Sequence, residues 1–348
     1  MNYYRPAPHE LEGNYYLDML TLDLKEEGFY ATNFKYWKLL ELYNNRNKCN
    51  IIHMHWPESF WRSDNLLVVF LKAIWFFIIF VFSKFFGYKW VFSAHNVIPH
   101  YKVKFPYLEK VMRQFILNYF DLVIGLAYNT KNDLEKAFGT SGKKYILALH
   151  GTYEDLYPVV KSKYDMRSDW DITSKSKIIL SINTLDRKNK GTDDLLSAWN
   201  SIRNYGNVHL LLTGVKPDNY DKLIKNPNFH FIEGRISDAD MGDFLNAVDF
   251  MFLNYKSITT SGMYFLAVTL NLPVIAPDLS FFKLHTSDKT ALLFSSKSPL
   301  IYQLNNIIEK INNDWEYDKY PFEVLKKEYS SSNSAKIIAK EFYKLNSS

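Results

Sequence analysis

Residues 254–277, NYKSITTSGMYFLAVTLNLPVIAP, run through a strand end, a loop of small residues, a helix-length apolar stretch and a second strand opening at Pro273. The apolar residues 249–255 supply the first strand and PVIAP the second, so the order is strand, loop, helix, strand. In a parallel α/β sheet such a loop lies over the ligand crevice at the carboxyl ends of the strands, and the free amides of the following helix attract anions. Thr259, Thr260, Ser261 and Gly262 suit that role, since small hydroxyls add bonds to phosphate oxygens and a glycine lets the backbone come close. An ordinary N-capped helix with a glycine beside its cap would leave the same pattern.

The 348-residue chain is 47% hydrophobic and 23% charged, which allows a large core and two domains. A net charge of +5 is small for this length. With no basic repeat, zinc spacing or stacking motif beside it, nucleic acid is not an expected partner. The single cysteine, Cys49, excludes an internal disulfide framework and opens an apolar strand, which makes it a core residue. The amino terminus has no basic-then-apolar leader, so export is not expected.

The opening residues read as a loop carrying His9, Glu10, Gly13 and Asn14, then a helix with Leu17, Leu20 and Leu24 on one face, with little room for a strand before the loop. NIIHMHW (50–56) and WVFSAHN (90–96) read as buried strands. Both put histidines at their carboxyl ends, His53 and His55 in one and His95 in the other, which suggests a polar site. Between them, residues 66–90 form the most apolar stretch of the chain. Its length admits a membrane span, but a helix joining two strands of one parallel sheet must return against that sheet. The excess apolar surface then meets either a membrane face, through residues such as Phe76, Phe77 and Phe80, or another part of the protein. Lysines 84, 89, 102, 104 and 110 with Arg113 make the neighbourhood basic, which suits an anionic surface.

Further helices and strands follow to His150 and Gly151, after which residues 158–176 are polar and without clear period. A domain boundary is placed there, giving 1–160, a linker at 161–176, and a second α/β domain over 177–320. In the second half KIILSIN (177–183) is a strand, DRKNKG (186–191) a basic loop, Thr192 a helix cap, VHLLLTG (208–214) a strand, and Ser237 with Asp240 a capping box. Asp238 with Asp240, and Asp169 with Asp171, have the spacing of metal-binding carboxylates; at a helix start the same residues serve as caps. Arg187 and Lys190 on the basic loop, with the amides of Ser261 and Gly262, can cradle a diphosphate, and Tyr255 can line the pocket.

HMHWPE (53–58), SAHNVIPH (93–100), HGTYEDLYP (150–158), the strand and basic loop ending Lys190-Gly191, and YKSITTSG followed by LAVTLNLPVIAP together resemble the bacterial GT-B glycosyltransferases, similar to family-4-type enzymes of cell-surface polysaccharide synthesis. The resemblance implies an α/β fold of two Rossmann-like domains facing across a cleft, and a carboxyl-terminal helix, within 321–348, returning to the first domain. It implies a nucleoside-diphosphate sugar donor in the second domain, with Gly214, Ile232 and Arg235 near nucleobase and ribose. The saccharide or lipid-linked acceptor falls to the first domain, with His9, Asn14, Tyr15, His53, His55, His100 and His150 as candidate contacts. Neither a metal nor another cofactor is expected, because the cationic loop can neutralise the departing diphosphate. The expected location is the cytoplasmic face of the membrane. His95 and Glu58 are both candidates for the base that takes the acceptor proton, Glu58 having Arg62 as an alternative partner. Ile258 and Leu266 stand where many family-4 enzymes carry two glutamates, which puts retaining stereochemistry in question. That departure also admits a catalytically silent subunit that stabilises an active transferase.

Overall fold

The computed structural model describes residues 1–8, 15–97, 103–183, 190–218, 220–313, 315 and 319–347. The chain divides into two compact units, one formed by residues 1–151 with 329–348, the other by residues 152–328.

The first unit holds β1 (Asn2–Ala7), α1 (Tyr15–Glu26), β2 (Phe29–Ala31), α2 (Leu39–Asn45), β3 (Cys49–Met54), α3 (Leu66–Phe85), β4 (Lys89–Ala94), α4 (Pro106–Tyr119), β5 (Leu122–Gly125), α5 (Thr130–Phe138) and β6 (Tyr145–Leu147). The six strands form one sheet in the order β2-β1-β3-β4-β5-β6, each pairing parallel. The expectation of no strand before the first loop is therefore corrected. β1 is inserted between β2 and β3, and Tyr4 pairs with both Ala31 and Ile51. Pro6 and Arg5 read against a central strand, but the sheet on either side supplies the burial that decides it.

α3 links neighbouring parallel strands, so it lies on the sheet as a crossover helix. Asn65 caps it, accepting from the amides of Leu67 and Val68. Val69, Phe76, Ile79, Phe80 and Ser83 are buried, and Phe76 packs on Trp61 and Trp90. Each such large apolar side chain contributes roughly 1.5–3 kcal/mol. Phe76 and Phe80 thus belong to the core and not to an outward anchor; Phe70, Leu71, Ile74, Trp75, Phe77, Phe82 and Phe85 are among the exposed residues.

The second unit holds α6 (Lys163–Asp169), β7 (Lys177–Asn183), α7 (Thr192–Trp199), β8 (Val208–Gly214), α8 (Tyr220–Leu223), β9 (Phe229–Glu233), α9 (Met241–Ala247), β10 (Phe250–Phe252), α10 (Gly262–Thr269), β11 (Val274–Pro277), α11 (Ser280–His285), β12 (Ala291–Phe294), α12 (Ile301–Asn312) and α13 (Lys319–Glu328). Its parallel sheet runs β12-β11-β10-β7-β8-β9. The expected linker at 161–176 is instead structured: Ser162 caps α6 through the Asp165 amide, and Arg167 is buried at the starts of β7 and β10, donating to Asp249 and the Ser176 carbonyl. Thr192 does not cap α7; the cap position is Gly191, in a left-handed conformation.

The last helix, α14 (Ser331–Asn346), belongs to the first unit. Phe342 meets Tyr4, Phe29 and His53, while Tyr343 Oη donates to the Glu27 carbonyl at 2.9 Å.

Candidate functional site

In the second unit the strand order reverses between β7 and β10, which pair directly. A ligand crevice belongs at such a switch point, outside the carboxyl ends of the strands. The loop after β7 reaches it at Lys190 and Gly191, and the loop after β10 at Asn254. Asn254 Nδ2 donates to the Gly191 carbonyl at 2.9 Å. Gly191 has φ +57°, and a Cβ there would sit 2.6 Å from the Asn254 carbonyl oxygen, so only glycine lets the two loops touch. Asn254 is the member of this contact that sequence reasoning missed; its signal was a lone amide at the end of an apolar strand.

Ser261 caps α10, its Oγ accepting from the Tyr264 amide at 3.2 Å, so the ordinary capping role is real. The Tyr264 and Phe265 amides also reach the Ser261 carbonyl, so only the amides of Gly262 and Met263, at the first two helical positions, lack an intrahelical acceptor. Tyr255 Oη lies 3.3 Å from Ser261 Oγ and stacks its ring on Phe282, closing the loop. The Thr260 hydroxyl is buried without a hydrogen-bond partner among the described residues. A Cβ on Gly262 would meet Tyr153 Oη at 2.9 Å. Gly214 and Gly234 bridge the carboxyl ends of β8 and β9 through a 2.9 Å backbone bond. Ile232 lies just before this bridge and Arg235 just after it, the latter exposed and paired with Asp238 at 3.3 Å. Lys190, Tyr255, Thr260, Ser261, Gly262, Gly214, Ile232 and Arg235 therefore share the carboxyl-end side of one sheet. Arg187 lies outside the described residues.

In the first unit the sheet brings the strand-end histidines together. His55 Nδ1 and His95 Nε2 are 3.1 Å apart, and His53 Nε2 is 2.8 Å from Ser93 Oγ. Tyr16 gathers them, with its ring 4.6 Å from His150, 4.9 Å from His95 and 5.9 Å from His55. The expected contact Tyr15 opens α1; its neighbour Tyr16 is the ring that reaches the cluster, on the inward face shared with Leu20 and Leu24. Trp56, also missed, stacks on His95 at 4.2 Å. His9, Asn14 and His100 lie outside the described residues.

Burial governs these imidazoles. It lowers His53 to about 3 and His150 to about 4, and holds His55 and His95 well below the ordinary range, neighbouring histidines adding to the effect. They are neutral in the fold, whereas the unfolded chain takes up protons below about pH 6.5. The folded values lie below the unfolded one, so stability is complete above that pH and lost as pH falls. Each histidine contributes a slope of up to about 1.4 kcal/mol per pH unit. Urea midpoints are expected to fall between pH 7 and 5, and the decline should be shallower in His53→Gln; a flat profile would contradict the buried neutral cluster.

Glu58 is committed elsewhere. Its carboxylate lies 2.7 Å from Arg113 and 3.7 Å from Arg62, which also bind Glu109, itself accepting from Trp61 Nε1 at 2.8 Å. The alternative pairing with Arg62 is thus present, and Arg113 is the closer partner. Ser237 does not cap α9, whose cap position is Asp240: the Ser237 hydroxyl donates to Asp240 Oδ2 at 2.6 Å and accepts from the Asp240 amide at 3.1 Å in the turn before the helix. Asp238 pairs with Arg235 and Asp169 with Lys161, and among the described residues no group of three or more ligating side chains could hold a metal ion. Cys49 is buried, and burial pushes its thiol up to about 11.

Residues 176–310 match the family described as "Glycosyl transferases group 1". Among solved structures, sucrose-phosphate synthase from Thermosynechococcus elongatus superposes with a TM-score of 0.73 at 15% identity, covering 100% of both chains. Anabaena Alr3699/HepE, in complex with UDP and glucose, gives 0.68 at 12% identity, covering 99% of this chain and 100% of that one. WaaG, a glycosyltransferase involved in lipopolysaccharide biosynthesis, gives 0.59 at 14% identity over 98% and 95%. No curated protein matches the chain in sequence. The chain therefore has the GT-B architecture of two Rossmann-like domains, and residues 176–310 of its second unit are similar to the group 1 glycosyl transferases.

Proposed function

We propose that the protein moves a sugar from a nucleoside-diphosphate donor, bound at the β7/β10 switch point, to a saccharide or lipid-linked saccharide handled by the first unit in surface polysaccharide synthesis. The observation that carries this is the contact between the Lys190-Gly191 loop and Asn254 beside the capped start of α10, inside the stretch similar to the group 1 glycosyl transferases. Departure of the diphosphate builds negative charge, and a fixed cation with oriented amides stabilises it without reorganisation. The uridine nucleotide held by HepE makes UDP the first donor nucleotide to test. Between the two candidate bases the geometry favours His95: Glu58 is held as a counter-ion between Arg113 and Arg62, whereas His95 has no carboxylate or cation bonded to it among the described residues and contacts His55 and Trp56 at the strand ends.

Thermal shift with UDP, GDP and CMP, followed by a nucleotide-sugar panel read by release of free nucleoside diphosphate, tests the reading. Stabilisation by one nucleotide and release from its sugar are expected; neither occurring would sink it. Leu266 is buried where a family-4 enzyme would present a carboxylate, and this favours a second reading, a catalytically silent subunit. That reading requires that no nucleotide shift the unfolding temperature.

The location belongs to the same proposal. The outward face of α3 exposes Phe70, Leu71, Ile74, Phe77, Phe82 and Phe85 with Lys72 beside them, the pattern of a helix lying on the cytoplasmic membrane surface. Serine at Phe70, Phe77 and Phe82 is expected to release the protein from anionic vesicles while preserving the nucleotide shift; undiminished sedimentation with the vesicles would remove α3 as the contact.

A further inference from the structure

A cavity of about 760 Å³ opens in the first unit beside the amino-terminal half of α3. Two cations, Arg5 and Lys72, line it together with the aromatic rings of Tyr36, Trp37, Trp56 and Trp75, and no carboxylate is among the lining residues described. Arg5 is only 3% exposed. Its Nε donates to the Phe34 carbonyl at 2.7 Å and its Nη1 to the Pro6 carbonyl, while the Tyr36 ring lies 5.3 Å from the guanidinium carbon. A guanidinium carries five N–H donors, so these carbonyls leave donors over. No carboxylate among the described residues pairs with it, and a buried cation without a counter-ion is costly. Such a group can take an anionic ligand.

The walls and the rim narrow the choice. Trp75 Nε1 donates to the Trp37 carbonyl at 3.2 Å, fixing the Trp75 indole against the backbone at Trp37. Flat aromatic walls with a few placed polar groups suit a sugar ring. Leu71 and Trp75 belong at once to the cavity and to the exposed apolar face of α3, so the opening runs onto that face. Trp56, another lining residue, stacks on His95. A free sugar phosphate would leave the apolar rim without a partner, and a plain phospholipid would leave the tryptophan walls without one.

We propose that this cavity binds the phosphate-bearing sugar head of a lipid-linked saccharide, whose hydrocarbon tail lies along the exposed face of α3. This rests on the reading of the first unit as the acceptor-handling part. The sugar is stacked between tryptophans, the phosphate meets Arg5 and Lys72, and Trp56 sets the head beside the histidine cluster.

The test is co-sedimentation of the full chain with phosphatidylcholine vesicles carrying glucosyl polyprenyl phosphate, polyprenyl phosphate or phosphatidic acid, with glucose 1-phosphate as soluble competitor. Retention is expected to be strongest on the glycolipid. Arg5→Gln, Lys72→Gln and Trp75→Ala should each weaken it about tenfold, as loss of a central contact does, with the nucleotide thermal shift unchanged. Equal retention of variants and wild type overturns the proposal. So does equal retention on phosphatidic acid, which makes the site one for any anionic lipid. Full displacement by glucose 1-phosphate at matched concentration also overturns it, because the tail then contributes nothing. If Arg5→Gln does not fold, Lys72→Gln and Trp75→Ala, at the cavity rim, decide the outcome. Glycolipid retention without turnover of any nucleotide-sugar would sink the proposed transferase activity alone, whereas turnover without selective retention would sink this cavity assignment alone.

Discussion

Replacing Lys190 by alanine is expected to lower turnover about 10²-fold or more, the usual effect of removing one fixed donor from a site where charge develops. Lys190 stands one residue before the glycine whose carbonyl Asn254 holds at 2.9 Å, at the start of α7. The ammonium is thus carried on a loop tied to the neighbouring strand end, and a diphosphate at the switch point would meet a cation that needs little reordering. The unfolding midpoint should stay near wild type, because Lys190 is only half-buried. Gly191→Ala should cause a comparable loss by another route: its Cβ would lie 2.4 Å from Asn254 Nδ2 and 2.6 Å from the Asn254 carbonyl oxygen, so the loops must separate. Steady-state kinetics separates the two, with Lys190→Ala lowering kcat chiefly and Gly191→Ala also raising KM. Turnover within twofold of wild type for Lys190→Ala would take that residue out of the chemistry.

Arg167→Ala should produce the largest loss of stability, about 3–5 kcal/mol, the range for breaking a buried charge pair from one side. Arg167 is 2% exposed and donates to Asp249 Oδ2 at 2.6 Å, to the Ala247 carbonyl at 2.8 Å and to the Ser174 and Ser176 carbonyls at 3.0 and 2.8 Å. Asp249 in turn accepts from the Ile178 amide at 2.8 Å and from Lys163 at 2.9 Å. One guanidinium therefore binds α6 to the starts of β7 and β10, the same two strands whose other ends carry the candidate donor site. Without it, Asp249 keeps only Lys163 and the Ile178 amide, and three carbonyls lose this donor. Lysine should rescue little, since one ammonium cannot span that fork of acceptors. Urea unfolding measures this directly, and a change under about 1 kcal/mol would show that the network contributes little.

Much of the fold was legible because strands buried on both faces announce themselves as short apolar runs. NIIHMHW, WVFSAHN, KIILSIN and VHLLLTG needed no partner to be read, and the histidines and glycines at their ends marked the side on which ligands sit. β1 escaped because Pro6 and Arg5 break such a run, and only the two strands flanking it in space make a strand of it. α6 escaped because its short helix carries Arg167, whose burial depends on Asp249, far along the chain.

The strands within 50–56, 90–96, 177–183 and 208–214, the hydroxyl-rich loop before α10 and the cationic loop before α7 were determined by the amino-acid sequence alone, since periodicity and turn residues act over a few neighbours. The tertiary structure alone decided that Gly191 rests on Asn254, that Tyr16 and not Tyr15 gathers the histidines, that Glu58 is spent on Arg113, and which side of α3 faces outward. A helix apolar all round has no stripe to declare its buried face, and contacts between residues far apart in sequence exist only once the strands between them have been stacked.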